Sequence, residues 1–165
     1  MGSRHEGPSP VAQAELAVIQ VATALEACGV DVAIIDFYRT EVRVIKPFSL
    51  SVDATKERLA TGEADGMTPL GEALEVAIKL LDAEAGTDPG HIIAMTDDRP
   101  TDETRYRDAF NDSSYPVHGT LINLDGQAAS TGDETDLYDT TVSVTSTSEL
   151  RDRILHLAAT LVVPR

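Results

Sequence analysis

Oxygen-bearing side chains stand near the ends of three predicted elements of this chain. Thr68 precedes Pro69 at the start of an apolar-striped helix, in the stretch "DGMTPLGEAL". Asp97 and Asp98 directly follow the apolar stretch "HIIAMT", and Asp36 lies near the end of another, "VDVAIIDFY". Hard cations such as Mg²⁺ bind oxygen ligands, keep several waters and need only one or two carboxylates from the protein. These residues are therefore candidates for a divalent metal site.

Thr68, Asp97 and Asp98 also have a purely local interpretation. A threonine before proline at a helix start is a common N-cap, so Thr68 can simply begin its helix. Asp97 and Asp98 can form a solvated turn that opens the next helix, with Thr101 or Asp102 as the cap of that helix. The residues taken one by one leave both interpretations open.

The hydrophobic pattern predicts the elements that would position these side chains. Helices are predicted near 10–28, 53–60, 69–84 and 103–110, with a last one announced by the capping box Ser146 to Glu149. Strands are predicted at 30–38, 41–48, 91–96, 117–124 and 139–144, the first two joined as a hairpin. Strands that alternate with helices predict a mostly parallel α/β sheet covered on both faces. Functional loops then gather at the carboxyl ends of the strands, where Asp97 would lie.

The stretches around Thr68 and Asp97, taken together, resemble the von Willebrand factor type A (VWA) domain. "DGMTPLGEAL" is similar to the family segment "GGTPLGxAL", which carries the threonine of the metal-ion-dependent adhesion site, and "MTDDRP" is similar to "TDGxP", with Asp98 at the glycine. The resemblance implies a Rossmann-like three-layer α/β/α fold whose mostly parallel sheet has one antiparallel edge strand. It assigns Thr68 and Asp97 to the metal. Asp98 and Asp36 stay further candidates because of their positions near strand ends.

The family's first strand, which ends in Asp-x-Ser-x-Ser and supplies its main metal ligands, has no counterpart in this sequence. Either the chain begins downstream of a longer natural start, or the protein works without that strand. Loss of a central strand should leave a gap or a rearranged sheet. We expect the strands around Ile34 and Ile93 to pair directly or to recruit a segment of another copy, giving a homodimer through exposed sheet edges. Binding of Mg²⁺, Mn²⁺ or Ca²⁺ should be weak or absent, because few ligands remain.

These features favour a non-catalytic protein-binding module. The 165 residues show no shift in composition, which predicts a single domain over 1–165 with a flexible segment at 1–9, and the resemblance implies that this domain is VWA-like. The metal's open position would be completed by a carboxylate of a protein partner. Similarity of "ALEACGVDVAIIDF" to the VWA regions of metal-chelatase subunits adds a ring ATPase as a candidate partner.

Two alternatives to this module remain open. Asp36, Asp97 and Asp98 could form an Mg²⁺-binding acidic cluster, as in a receiver domain or a phosphoryl-transfer enzyme. Such sites usually place a lysine near the phosphate, and "VHGTLINL" is not followed by one, so we expect no enzymatic activity. The other alternative is a structural interaction domain that has no metal site.

The composition restricts the classes of binding partner and the expected cellular location. With 28 acidic against 13 basic residues and a net charge of -15, the chain should repel nucleic acid and anionic membranes. It has neither a secretory signal nor an apolar run long enough to span a membrane, so a cytoplasmic location is expected. Cys28, at the end of an apolar helix, is expected to be buried. His91 and His118 fall on different elements without zinc-ligand spacing.

The acidity and the scarcity of lysine are typical of proteins from salt-loving organisms. We predict that removing salt lowers the melting temperature, because self-repulsion of the acidic surface is screened only at high ionic strength, where the Debye length is about 3 Å. Thermal denaturation in buffers from low salt to molar KCl measures this. An ordinary acidic protein would instead melt at nearly the same temperature across the series.

Overall fold

The computed structural model describes residues 10–59, 67–84, 90–96, 100–122, 140–144 and 146–161. Within them the elements follow the order α1 (Pro10–Ala27), β1 (Ile34–Tyr38), β2 (Glu41–Lys46), α2 (Val52–Leu59), α3 (Leu70–Glu84), β3 (Ile92–Thr96), α4 (Glu103–Asp112), β4 (Val117–Ile122), β5 (Thr140–Val144) and α5 (Thr147–Leu161). This mixture of helices and strands confirms the α/β class. The segment 1–9, predicted to be flexible, lies outside the described residues.

Helix α1 begins and ends where its sequence indicates. Pro10 occupies its first position, and Gly29 follows its last turn with φ +78°, a conformation that favours glycine. One expectation about its surface is wrong. Cys28 is exposed, because the helix ends just before it and leaves it off the buried face. Leu16 is also exposed and does not belong to the buried face of the helix.

The predicted hairpin of β1 and β2 is present. Tyr38 pairs with Glu41, so Arg39 and Thr40 form a two-residue turn, with Arg39 at φ +55°. The guanidinium carbon of Arg39 lies 4.9 Å from the centre of the Tyr38 ring. Lys46, the last residue of β2, pairs with Ile34, where the register shifts. The hairpin therefore forms an antiparallel unit of its own.

The described strands divide into two sheets rather than one. β1 and β2 form a two-stranded antiparallel sheet, and β3, β4 and β5 form a parallel sheet in that order. The expectation that the strands around Ile34 and Ile93 pair directly is wrong within the described residues, since β1 pairs only with β2 and β3 only with β4. The described strands form two separate sheets instead, and recruitment of a segment of another copy stays a prediction.

Helices cover the strands on both faces. On one face, α1, β5 and α5 share a cluster of buried residues, namely Ala17, Val21, Leu25, Val144, Leu150, Ile154 and Ala158. On the other face, α3, α4, β3 and β4 share a second cluster, namely Leu70, Leu74, Ile92, Tyr106, Ala109 and Val117. Ser146 accepts a hydrogen bond from the Glu149 N–H at 3.3 Å, which confirms the predicted cap of α5.

The same helices contact strands of both sheets. Phe37 of β1 packs against the cluster that contains Ile92 of β3 and the α3 residues Leu70 and Leu74. On the opposite face, Met95 of β3 and Val32, which precedes β1 by two residues, pack against the cluster of α1 and α5. Burial of apolar surface against shared helices therefore holds the two sheets together. Among the described helices, none combines the length and the apolar character that a membrane crossing requires.

A buried lysine closes the inner end of the hairpin. The side chain of Lys46 is 1% exposed, and its Nζ lies 2.8 Å from Oε1 of Glu26 in α1. The same ammonium donates to the carbonyl oxygen of Val32. The other Glu26 oxygen accepts the N–H of Val52, the first residue of α2, at 3.1 Å. One carboxylate thus joins α1, β2 and α2.

We predict that Glu26→Gln lowers the free energy of unfolding by about 2–3 kcal/mol at neutral pH, because the amide leaves the buried Lys46 charge uncompensated. The hydrogen bond with Lys46 lowers the pKa of Glu26 from its ordinary 4.5. The carboxylate's contribution is therefore present above that value and is lost as the pH falls through the lowered pKa. Urea denaturation from pH 7 to pH 3 should show the two proteins converging below pH 4.5.

Asp53→Asn is the matched control for this change. It removes the same charge but breaks the exposed Lys56–Asp53 ion pair of 3.1 Å. We expect it to change the free energy of unfolding by less than about 1 kcal/mol. Equal losses in the two variants would mean that the Lys46–Glu26 pair has no special role.

Candidate functional site

The structure describes two of the predicted metal-site residues. Thr68 is buried at the start of α3, and Asp36 lies half-buried in β1. Asp97 and Asp98 lie outside the described residues. Thr96, the last residue of β3 and the one before Asp97, is buried at 5% exposure. The described part of the site therefore consists of the Thr68 loop and its contacts with the segment that follows Pro100.

The first N–H groups of α3 all have acceptors. The Leu70 N–H donates to the Thr68 carbonyl oxygen at 2.8 Å, and the Ala73 N–H donates to the Pro69 carbonyl oxygen at 3.1 Å. The Gly71 and Glu72 N–H groups donate to the carboxylate of Asp102, the residue before α4. A threonine cap at position 68 would bond the N–H two or three residues later, and both of these are taken. The interpretation of Thr68 as the side-chain cap of α3 is therefore wrong.

The acceptor for these two N–H groups is Asp102. Its Oδ1 accepts from Gly71 at 2.9 Å and its Oδ2 accepts from Glu72 at 3.0 Å. Asp102 also occupies the N-cap position of α4, as the sequence suggested, but its side chain makes no capping hydrogen bond there. Both carboxylate oxygens face the other helix, so Asp102 caps α3 across the helix interface instead of its own helix.

This cap requires α4 to approach α3 very closely. A Cβ at Gly71 would lie 2.6 Å from the Tyr106 nitrogen and 2.7 Å from Oδ2 of Asp102. It would also lie 3.0 Å from the carbonyl carbon of Arg105. Two of these three atoms belong to the backbone and cannot rotate away. A glycine at 71 is therefore required by the contact and not by the dihedral angles of the helix.

Arg105 binds α3 one turn further along. Its Nε and Nη2 donate to the two carboxylate oxygens of Glu75 at 2.7 and 2.8 Å, and its Nη1 donates to Glu72 at 3.1 Å. The two-point contact with this guanidinium lowers the pKa of Glu75 and raises that of Arg105. Tyr106, fully buried, stacks on Phe110 with ring centres 6.2 Å apart. The ion pairs of Arg105 and the burial of Tyr106 in a cluster with Leu70 and Leu74 of α3 hold the helix pair around the Asp102 cap.

The backbone of Thr68 is held by the same segment. Its carbonyl oxygen accepts the Thr101 N–H at 2.9 Å. Within the described residues, the hydrogen bonds of Thr68 run through this main-chain oxygen. The loop that carries Thr68 is thus bound directly to the chain that follows β3.

Asp36 lies within the hairpin. It is the third of the five residues of β1 and pairs with Arg43 of β2. As predicted, it lies near the carboxyl end of its strand, two residues before Tyr38, which adjoins the hairpin turn. Arg43 also binds Glu41 through its guanidinium. Asp36 therefore lies beside a basic residue within the hairpin.

The structure brings together two histidines that the sequence placed apart. His91 Nδ1 lies 3.2 Å from His118 Nε2, and the ring centres are 5.4 Å apart. The distance between the ring centres is close to the N···N distance plus the radii of the two rings. The two nitrogens therefore lie almost on the line that joins the ring centres and face each other head-on. A metal between head-on nitrogens needs about 4.1 Å, so the geometry suits a hydrogen bond in which one ring N–H donates to the nitrogen of the other ring. Burial, and secondarily His118, lowers the pKa of His91.

Sequence spacing could not reveal this histidine pair, because parallel pairing creates it. His91 precedes β3 by one residue, and His118 is the second residue of β4, opposite Ile93. His118 Nδ1 is buried without a hydrogen-bond partner among the residues described. No group of three or more His, Cys, Asp or Glu side chains suited to a metal occurs in the described part of the chain.

Comparison with known proteins gives a similarity of fold. No protein-family model matches the chain, and no curated protein matches it. Among solved structures, it is similar to the pilus adhesin SpaC from Lactobacillus rhamnosus GG, with a TM-score of 0.70 and 13% sequence identity. The match covers 97% of this chain and 29% of the adhesin chain. At this identity the likeness extends to the fold alone.

We predict that Gly71→Ala destabilises the protein by about 2 kcal/mol, because the added methyl group collides with the backbone of α4. Helix propensity alone predicts the opposite sign, a gain of about 1 kcal/mol. Chemical denaturation decides between them, and amide hydrogen exchange at Glu72 should accelerate in the variant.

Gly29→Ala is the control for this substitution. A Cβ there meets nothing within 4 Å, but the residue has φ +78°, so only backbone strain is added. It should destabilise without changing exchange at Glu72. A Gly71→Ala variant more stable than the parent protein would show that the close approach of α4 is not required.

Proposed function

We propose that this protein is a non-catalytic binding module with a VWA-like fold. In this proposal Thr68 and Asp97, with water, hold a divalent cation, and a carboxylate of a protein partner completes its coordination. The cation's contribution, when bound, is an electrophilic position that seeks an oxygen donor from outside. The chain's own residues orient this cation and shape the surface around it.

The observation that carries the proposal is which atoms accept hydrogen bonds from the first N–H groups of α3. A side-chain cap at 68 would bind the N–H of Leu70 or Gly71. The Thr68 carbonyl oxygen accepts the first and Asp102 accepts the second, so the Thr68 hydroxyl is not needed by the helix. The hydroxyl of a buried threonine that has no capping role is consistent with a ligand role. Its residue type also fits, since hydroxyl and carboxylate oxygens are what Mg²⁺ prefers.

Chain connectivity supports convergence of Thr68 and Asp97. The Thr101 N–H is bound to the Thr68 carbonyl oxygen. Asp97 precedes Thr101 by four residues, which span roughly 14 Å at most. Thr96, immediately before Asp97, ends β3 in a buried position. Of the described residues around Asp97, Thr96 ends β3 and Thr101 is bound to the Thr68 loop, which is compatible with the proposed convergence.

The arrangement of the elements is compatible with a VWA-like topology. A VWA-like sheet would place its central strand between β1 and β3, where the described strands divide into two sheets. Helices on both faces and the antiparallel hairpin at one side also agree with it. A pilus adhesin, a protein named for adhesion, also contains a region with a similar fold. The assignment to the family remains our proposal.

The negative charge of the surface restricts the kind of partner that can bind. With a net charge of -15, the protein repels acidic surfaces, so the partner's carboxylate should lie on a neutral or basic surface. Met67, 54% exposed and next to Thr68, offers an apolar contact beside the cation. A ring ATPase stays a prediction from the sequence. Asp36, which pairs with Arg43 in the hairpin, is left out of the proposed ligand set.

We predict roughly millimolar Mg²⁺ affinity, because one hydroxyl and one carboxylate make a small ligand set. Thr68→Val keeps the side-chain shape and should weaken binding about tenfold, as should Asp97→Asn. Titration in high salt, followed by NMR of amides near Thr68 or by calorimetry, measures the affinity. Asp36→Asn is the control, since it removes the same charge as Asp97→Asn and should leave the affinity unchanged. Equal effects of Asp97→Asn and Asp36→Asn would reduce the binding to general attraction by the acidic surface and contradict the proposal.

A further inference from the structure

We infer that Asp102 is a positioning residue for Thr68, because its carboxylate takes the N–H groups of α3 and so keeps the threonine hydroxyl away from the helix. Asp102 is not among the proposed metal ligands, and its effect is exerted through the conformation of Thr68. The part of the inference that concerns metal rests on the proposed function. The competition between the two side chains does not.

The two side chains compete for one hydrogen-bond donor. A threonine N-cap at 68 would accept the N–H of Gly71, three residues later, and Oδ1 of Asp102 already accepts it at 2.9 Å. A carboxylate is the stronger acceptor, since its bonds are charge-assisted and it lies at the positive end of the helix dipole. Occupation by Asp102 therefore excludes the hydroxyl.

Three further features of the structure hold Asp102 in this place. The absence of a side chain at Gly71 lets the carboxylate approach, Arg105 binds Glu72 and Glu75, and the Thr101 N–H binds the Thr68 carbonyl oxygen. The last contact is made by the residue directly before Asp102. The loop of Thr68 and the carboxylate that displaces its hydroxyl are therefore positioned by one short segment.

Removal of this carboxylate should change the role of Thr68. In Asp102→Ala, the Gly71 N–H loses its acceptor, and Thr68 is the nearest preceding residue in the sequence whose side chain is of the type that caps helices. The hydroxyl should then rotate to the helix and take over the cap. Thr68 would contribute to stability in this variant although it contributes little in the parent protein. This exchange of roles is specific to competition and is not expected of independent structural residues.

A double-mutant cycle in EDTA tests the competition without metal. Thr68→Val should change the unfolding equilibrium constant less than about twofold in the parent protein, and about fivefold in the Asp102→Ala background, the typical effect of losing a threonine cap. Asp108→Ala, an exposed acidic residue of the same helix, is the control background, in which Thr68→Val should again have little effect. Equal effects of Thr68→Val in the parent and Asp102→Ala backgrounds would overturn the inference.

If Asp102→Ala does not fold, Asp102→Asn replaces it in the cycle. The amide oxygen of asparagine can accept one of the two N–H groups, so the dependence on Thr68 should be intermediate. A second arm measures Mg²⁺ affinity, which Asp102→Ala should reduce about tenfold because the hydroxyl has moved to the helix, while Asp108→Ala should not change it. Absence of Mg²⁺ binding by the parent protein would overturn the proposed function, and the cycle in EDTA would still decide the role of Asp102.

Discussion

The carboxylate of Asp102 at the start of α3 is the contact on which the geometry of the candidate site depends. A helix N-terminus presents N–H groups without intrahelical acceptors and carries partial positive charge. Most helices satisfy these groups from the adjoining residues, but here the acceptor comes from 30 and 31 residues away. The cap is therefore a tertiary contact, and it fixes α4 against α3. Because Thr101 adjoins Asp102, the same contact fixes the backbone of Thr68.

The division of the strands into two sheets gives the helices a larger structural role than usual. A two-stranded hairpin is marginally stable in water, so β1 and β2 need the helices that cover them. Ile34 packs with α1 and α2 on one face, and Phe37 packs with α3 on the other. The buried pair of Lys46 and Glu26 ties the end of the hairpin to α1. Packing of helices against both sheets thus does what hydrogen bonds between the sheets would otherwise do.

The elements of the fold could be predicted from the sequence because local signals define them. Proline at 10, glycine at 29 and serine at 146 mark helix ends, and apolar periodicity marks the segments between. What could not be predicted depends on residues distant in sequence. Both Thr68 and Asp102 are good caps by type, and only the packing of α4 on α3 decides which of them caps α3. Strand pairing likewise brings His91 to His118 and separates β1 from β3.

Repulsion by the acidic surface and coordination at the proposed cation site act over different distances. Repulsion between this protein and a partner's carboxylate extends over a Debye length, about 8 Å at physiological ionic strength and about 3 Å in molar salt. A bond from a carboxylate to Mg²⁺ is about 2.1 Å long and is less affected by screening. If the cation bridges the two proteins, salt therefore removes the repulsion and leaves the bridge largely intact. Association should then strengthen with salt, whereas contacts made by ordinary surface ion pairs weaken with it. A net charge of -15 and a cation held by few protein charges are compatible for this reason.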